Sequence, residues 1–367
     1  MGRRIKHLAV GLGAALVFGA AGAGVSAIGQ TDWRVTIIGP GGGEHIYEVS
    51  ADTEGDARDA AWSQLRAESS TTAVPTTSGS CAATVGRDPF TASIPACAVV
   101  SQDTALTADP EPRWGSIDCE TDSRVTEVAS GGDPHPTATG VLQGNSAYRR
   151  LKVLDGDDVS GERCELGRNE QRYGSDGGDG TFQLYREGQR RITFVSFRLP
   201  DDFHLDHSGF QNVLQMKQSQ PSDNGSCPPV LSLQVRFEEW RLQHQESPGS
   251  CGDSETLWEA PAEAGVWVRV ALDVTYSRYS DEGKVKLYLD LNGDGDSLDA
   301  REQSPAITTH TLKYETPDPD GYDTDGLAAG DSIPSHLRVG LYHDPSYDCP
   351  APDGCSVQVD NVQVVRP

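Results

Sequence analysis

Basic residues are scarce in this chain. Its 367 residues include 30 Lys and Arg against 55 Asp and Glu, a formal net charge of −25. Nucleic acid is excluded as a partner on that ground, because its binding needs a basic footprint over the phosphates. Cys-x-x-Cys pairs are absent from the eight cysteines, which removes the usual ligand spacing for structural zinc. Helical periodicity is nearly missing beyond residue 113, which argues against a helix-layered fold class.

What is present begins with a leader-like N terminus. "MGRRIKHLAVGLGAALVFGAAGAGVSA" has a basic start, a small-residue apolar stretch and then Val25-Ser26-Ala27, which fits a signal-peptidase site. Residues 1–27 therefore read as a cleaved signal peptide, with a single membrane anchor as the competing reading. Cleavage would remove Arg3, Arg4 and Lys6 and no acid, leaving 27 basic residues against 55 acidic ones, a net charge of −28. All eight cysteines follow Ala27, an even number that suits disulfides in an oxidising compartment. The expected pairs, taken by sequence proximity, are Cys349–Cys355, Cys81–Cys97, Cys227–Cys251 and Cys119–Cys164. The expectation is a secreted monomer with no stable membrane association once the signal is gone, its acidity serving solubility.

Three mature segments follow. Residues 28–69 read as a small ββα accessory segment: "DWRVTIIG" and "EHIYEVSA" flank a Gly-rich turn, and an amphipathic helix is expected over 53–68 with Thr53 as cap. Residues 70–112, rich in Ser, Thr, Ala and Pro, read as linker or loosely ordered surface. Residues 113–367 carry short alternating apolar runs between Gly, Asp, Asn and Pro, among them "RRITFVSFRL", "VLSLQVRF", "VWVRVALDVTYS", "KVKLYLDL" and "SVQVDNVQVV". This is the texture of an all-β fold, a two-sheet sandwich or jelly roll. In the last run, simple alternation sends Val357 and Val359 to one face and Val362 and Val364 to the other.

Three strands carry polar rows that a plain sandwich does not need. In "ERCELGR", Arg163 and Glu165 share one face while Cys164 and Leu166 take the other. In "NVLQMKQ", Gln215 and Lys217 share a face opposite Leu214 and Met216. In "HLRVGLYHD", His336, Arg338, Gly340 and Tyr342 oppose Leu337, Val339 and Leu341. A solvated outer face is the ordinary explanation for one such strand. Three together, bearing Arg, Gln, Lys and Tyr, argue for a site.

In their order, these strands resemble the signature strands of the jelly-roll polysaccharide lyases. The nearest are the heparin lyase I and glucuronan lyase group, with alginate lyases more distant. Those families carry an Arg-x-Glu strand, a Gln-x-His strand and a basic-x-Gly-x-Tyr strand. The resemblance covers residues 113–367 and implies a concanavalin-like β-jelly roll acting on an acidic, uronate polysaccharide by β-elimination, with no cofactor required for the chemistry. It implies catalytic roles for Tyr342, Arg338, Gln215 and Lys217. Substrate contacts would come from Arg163, Glu165, Arg168, His336 and His343.

The chemistry accounts for these residue types. A proton at C5 is barely acidic beside an ionised carboxylate, so amide and cationic donors must offset that charge first. Gln215 is the candidate, supported by Arg163 or Arg168. A tyrosine hydroxyl, ordinarily with a pKa of about 10, can act as base or acid when cations surround it. Gly340 would leave room for a sugar ring between Arg338 and Tyr342. Two departures stand out: the family's histidine is Lys217 here, which is not equivalent to imidazole, and Arg168 faces the core unless Gly167 forms a bulge that turns it back.

"DLNGDGDSLD" places Asp290, Asn292, Asp294 and Asp296 as a candidate structural calcium loop, although the twelfth position is Arg301 rather than Glu. The alternative is an acidic hairpin turn. Trp240, Trp258, Trp267 and Tyr276 read first as core and second as sugar platforms. The competing functions are a non-catalytic, lectin-like carbohydrate-binding sandwich and a calcium-binding extracellular module.

Overall fold

The computed structural model describes residues 7–12, 14–20, 31–38, 44–51, 86–92, 94–95, 98–103, 114, 116–134, 147–158, 161–167, 184–218, 227–249, 251–316, 329–349 and 352–367. Four strands, β1 (His7–Leu12), β2 (Ala14–Ala20), β3 (Thr31–Ile38) and β4 (Glu44–Ala51), pair in sequence as an antiparallel sheet in a unit of their own. The helix expected over 53–68 lies outside the described residues, as do Cys81, Cys97 and Arg168.

The larger unit begins with β5 (Val99–Asp103), β6 (Ser116–Cys119), β7 (Val125–Val128), β8 (Tyr148–Val153), β9 (Arg163–Gly167) and β10 (Arg190–Arg198). The middle of the chain supplies β11 (Gln211–Gln218), β12 (Leu231–Arg236), β13 (Glu239–Gln245), β14 (Ser254–Pro261), β15 (Trp267–Thr275) and β16 (Lys284–Asp290). It closes with β17 (Ile307–Thr308), β18 (Lys313–Tyr314), β19 (Ser332–Ile333), β20 (Ser335–His343) and β21 (Cys355–Val365). One antiparallel sheet runs β14-β13-β12-β11-β20-β9-β6; the other runs β17-β16-β15-β10-β21-β8-β7, with β5 also paired to β21. The β18–β19 pair stands apart from both.

Alternation decides how the two sheets meet. Leu214, Met216, Val339 and Leu341 from the first sheet share one buried cluster with Val270, Leu272, Val357 and Val359 from the second. Burying each such side chain stabilises the fold by roughly 1.5–3 kcal/mol. The larger unit is therefore an all-β jelly-roll sandwich. Trp240 and Tyr276 are fully buried core, and Trp258 packs partly buried against it.

Two bulges change which residues face where. On β21, Val357, Val359, Val362 and Val364 all enter the same core, not opposite faces as simple alternation requires. Asn361 at φ 52° absorbs one extra residue, and the pairing with β10 shifts there. On β11 the register shifts between Asn212 and Leu214, so Val213 and Leu214 are both buried in the core. Asn212 is thereby turned to the other face, directly across from Tyr342 and Gln234.

Part of the segment read as linker is built into the sandwich. Phe90, Ala92, Ile94 and Ala98 form a second buried cluster with Ile192, Phe194, Ala271, Tyr288 and Val365. Phe90 meets Phe194 edge-on at 6.2 Å. Isolated apolar residues among Ser, Thr and Pro carry no strand periodicity, so this layer leaves little trace in the sequence. Disulfides Cys119–Cys164, Cys227–Cys251 and Cys349–Cys355 form as expected. The first joins neighbouring strands β6 and β9 on their core side.

Candidate active site

The three polar strands lie side by side in the middle of one sheet. β20 pairs with β11 so that Arg338 stands opposite Gln215, His336 opposite Lys217 and Tyr342 opposite Asn212. On its other edge β20 pairs with β9, setting Gly340 opposite Glu165 and Tyr342 opposite Arg163. Directly paired residues share a face. Arg163, Glu165, Gln215, Lys217, Arg338 and Tyr342 are thus gathered on the face turned away from the core.

Glu165 is the centre of this group and is fully buried. Gln215 Nε2 donates to its Oε1. Arg163 Nη1 lies 3.4 Å and Arg338 Nη1 3.6 Å from its Oε2. Arg338 Nη1 also meets Asp118 Oδ2 at 2.6 Å, and Asp118 pairs with Glu165 in the adjoining strand β6. Expected as a substrate contact, Glu165 has its carboxylate enclosed and taken up by the amide and the two guanidinium groups. It fixes the two guanidinium groups and the amide in place.

Two histidines are enclosed in the same way. His336 is buried beside Arg338, whose Nε donates to its Nε2 at 3.1 Å. That nitrogen must be unprotonated to accept. Burial, Arg338 and Lys217 all press the His336 pKa well below the ordinary imidazole range, so the ring is neutral. His343 alternates to the opposite side, fully buried, with Nε2 against Cys349 Sγ at 3.2 Å and Nδ1 at 2.9 Å from Asp344 O. Neither ring lines the open face.

Tyr342 is half-buried and held from two sides. The Arg163 guanidinium carbon lies 3.8 Å from its ring centroid, a cation–π contact. Phe210 meets it edge-on at 4.9 Å. Gly161, at φ 97°, runs beneath the ring: a Cβ there would come within 3.1 Å of Tyr342 Cε2. The backbone itself requires glycine at position 340. At φ 149° its missing Cβ would collide with the carbonyl oxygen of Cys164 in β9. The strip of β20 between Arg338 and Tyr342 is left without a side chain as a result.

Lys217 donates from Nζ to the carbonyl oxygen of Cys227. Burial, with Arg338 and Arg163 nearby, lowers its pKa to about 7. The site therefore contains two fixed guanidiniums, one amide, one amine that changes charge near neutrality, and one phenol.

In the candidate metal loop the side chains of Asp290, Asn292, Asp294 and Asp296 are engaged by protein groups. Asp290 is fully buried and takes Arg269 Nε at 2.9 Å on Oδ2, with Nη2 on the same oxygen. Its carboxylate also accepts the N–H groups of Gly293 and Gly295 at 2.8 and 3.2 Å. Asn292, Asp294 and Asp296 accept backbone N–H groups two residues ahead, a run of Asx turns. Among the described residues no group of three or more His, Cys, Asp or Glu is placed to hold a metal.

Asp118 and Asn212 adjoin this group and were missed in the sequence. Asp118 lies in "SIDC", too short to show a polar row, and Asn212 reaches the site face only through the β11 bulge.

Comparison with solved structures gives an endo-β-1,4-glucuronan lyase from the fungus Trichoderma reesei at 17% identity and TM-score 0.45, covering 72% of this chain and 94% of that one. An alginate lyase from Pseudomonas aeruginosa matches at 14% identity and TM-score 0.34, over 60% and 83%. A GH131 β-glucanase catalytic domain from Podospora anserina matches at 10% identity and TM-score 0.39, over 70% and 85%. No curated protein matches the chain. Residues 114–363, which include every strand of the site, match the family model described as "Polysaccharide lyase", and the chain belongs to that family.

Proposed function

We propose that this protein is a secreted lyase that cleaves a uronate-containing polysaccharide by β-elimination. The observation that carries the reading is the arrangement along β20: Tyr342, backed by the Arg163 cation at 3.8 Å, faces the Gln215–Arg338 pair across a strip without side chains. A uronate ring over Gly340 has its carboxylate toward Gln215 and Arg338 and its C4–C5 edge toward Tyr342.

In the reaction, the Tyr342 phenolate oxygen removes the C5 proton. The C5–H electron pair becomes the C4=C5 double bond, and the C4–O4 bond breaks with its electrons on oxygen. The new phenol returns the proton to that leaving oxygen, which restores the phenolate. Arg163 supports the phenolate charge, and Gln215 and Arg338 support the charge that builds on the carboxylate at C5. Lys217 adds a cation beside them while protonated.

Secretion is supported by the basic and then small-residue N terminus ending at Ala27 and by the three disulfides. The test of the reaction is a panel of uronate polymers incubated with the protein and followed at the ultraviolet absorbance of the unsaturated product. Rising absorbance on at least one polymer is expected. Binding of polymer with no absorbance change on any of them would favour a lectin-like sandwich instead.

A further inference from the structure

The hairpin joining β12 to β13 carries a bulky side chain in a backbone conformation that resists one. Phe237 and Glu238 lie at φ 55° and 62°, between the paired residues Arg236 and Glu239. A two-residue turn with both central residues at positive φ is usually built from Asn-Gly, and a large side chain there is strained. The turn is nonetheless held by its backbone. Phe237 N–H donates to His207 O at 3.2 Å, Glu238 N–H to Leu205 O at 2.7 Å, and Ala262 N–H to Glu238 O at 2.9 Å. None of these bonds uses the phenyl ring.

That ring lies on the same face of the sheet as Tyr342. Tyr342 pairs with Asn212, Asn212 with Gln234 and Gln234 with Arg241. Arg236 follows Gln234 by two residues and shares its face, opposite the core residues Val235 and Trp240. The guanidinium carbons of Arg236 and Arg241 lie 4.7 and 4.9 Å from the Phe237 ring centroid, so the ring is folded back over this face. It is 45% exposed. Phe237, Tyr279 and Leu298 are the large hydrophobic side chains exposed among the described residues, and of these Phe237 alone belongs to the sheet that carries Tyr342.

The cations of this face are not equally engaged. Arg163 and Arg338 are held by Glu165 and Asp118. Arg241 is held by Glu239 at 2.8 Å and Glu259 at 3.3 Å, and Arg301 approaches Glu239 at 3.7 Å. Arg236 has no carboxylate within ion-pair distance among the described residues, and its Nε has no hydrogen-bond partner. A partly exposed guanidinium without an ion pair thus stands beside a partly exposed ring.

An aromatic face suits the C–H face of a sugar, and a guanidinium donates to hydroxyl or carboxylate oxygens. We infer that Phe237 and Arg236 form a distal subsite for the polysaccharide, the ring stacking on one sugar unit and the guanidinium donating to its oxygens. The subsite lies two strand spacings, about 9.6 Å, across the sheet from Tyr342 and further along the strands, so it meets a unit other than the one over Gly340. This inference rests on the lyase reading for its polymer and adds where a second unit is held.

Phe237→Asn separates binding from folding, because asparagine tolerates positive φ and removes the ring. The guanidinium contacts it gives up are offset by the strain it relieves, so Tm should stay nearly unchanged. The probes are glucuronan, alginate and an unsulfated glycosaminoglycan, followed by product absorbance and calorimetric binding. On the polymer that wild type processes, Phe237→Asn should raise KM by about fivefold or more with kcat nearly unchanged, the effect of losing the ring surface that the sugar covers. Arg236→Gln should move KM the same way, and Phe237→Trp should keep wild-type KM. An unchanged KM in Phe237→Asn overturns the inference and leaves the lyase reading standing. A fall in Tm of several degrees with a raised KM in both the Asn and Trp variants makes the ring a hairpin support and also overturns it. Absence of product from every polymer, with binding weakened about fivefold in Phe237→Asn, defeats the lyase reading and upholds the subsite.

Discussion

Arg163 lies flat against Tyr342, its guanidinium carbon 3.8 Å from the ring centroid, while the same guanidinium reaches the buried Glu165 at 3.4 Å. One cation is thereby tied to both the Tyr342 ring and the Glu165 carboxylate. Tyr342→Phe keeps the ring, the cation–π contact and the Phe210 edge, and removes only the hydroxyl. Turnover should fall by about 10²-fold or more with polymer affinity and melting temperature nearly unchanged. Product absorbance with calorimetric binding checks this; undiminished turnover would remove Tyr342 from the chemistry.

Glu165→Gln tests positioning against substrate contact. The variant keeps the shape and leaves Arg163 and Arg338 facing a neutral amide in a buried setting. Breaking a buried ion pair typically costs about 3–5 kcal/mol, and the Asp118 contact of Arg338 holds the loss toward the lower figure. A fall of several degrees in Tm should accompany a drop in kcat with little change in KM. A large rise in KM at unchanged Tm would instead return Glu165 to the substrate surface.

Lys217 gives two pH predictions of definite sign. Its folded pKa is lowered to about 7, so the cation is present below that pH and lost above it. KM should therefore rise as pH increases through neutrality. Lys217→Arg, charged throughout, should flatten that rise. For stability, the unfolded chain binds one more proton than the folded one between about pH 7 and 10.4, so folding is favoured as pH rises through that window. Lys217→Met should then be more stable than wild type at pH 7, by about 2 kcal/mol with water still reaching the half-buried amine, and the gain should vanish above the unfolded pKa. Thermal melts from pH 6 to 11 decide it.

The acidic loop supplies a fourth test. Asp290 is already bound by Arg269 and two backbone N–H groups, so a chelator should leave Tm where it is. Asp290→Asn, by contrast, should lower stability by about 3 kcal/mol through the stranded guanidinium. A chelator-induced fall in Tm that calcium restores would establish the ion-binding loop instead.

The facing of the candidate residues was legible where alternation is unbroken. Gln215, Lys217, Arg338 and Tyr342 sit on the face that two-residue periodicity gives them, with Leu214, Met216, Val339 and Leu341 beneath. Where a bulge adds a residue, periodicity misleads: it separates Val362 and Val364 from Val357 and Val359, a rule that the backbone suspends at Asn361. Burial of Glu165, His336 and His343 was equally hidden, since it depends on neighbours contributed by distant strands and loops. β13 and β14 escaped notice because their runs, "EWRLQHQ" and "SETLWEAP", mix charged and amide residues with the apolar ones and break a clean alternation.

The layer formed by Phe90, Ala92, Ile94 and Ala98 sets where the catalytic unit can be cut. A fragment starting at residue 113, the boundary that composition suggests, would lose strand β5 from the edge of β21. It would also bare Ile192, Phe194, Ala271, Tyr288 and Val365 as an oily patch beside an open strand edge. Surfaces of that kind recruit other chains. A recombinant form meant to stay dispersed must therefore keep the stretch from residue 86 onward, however linker-like it reads.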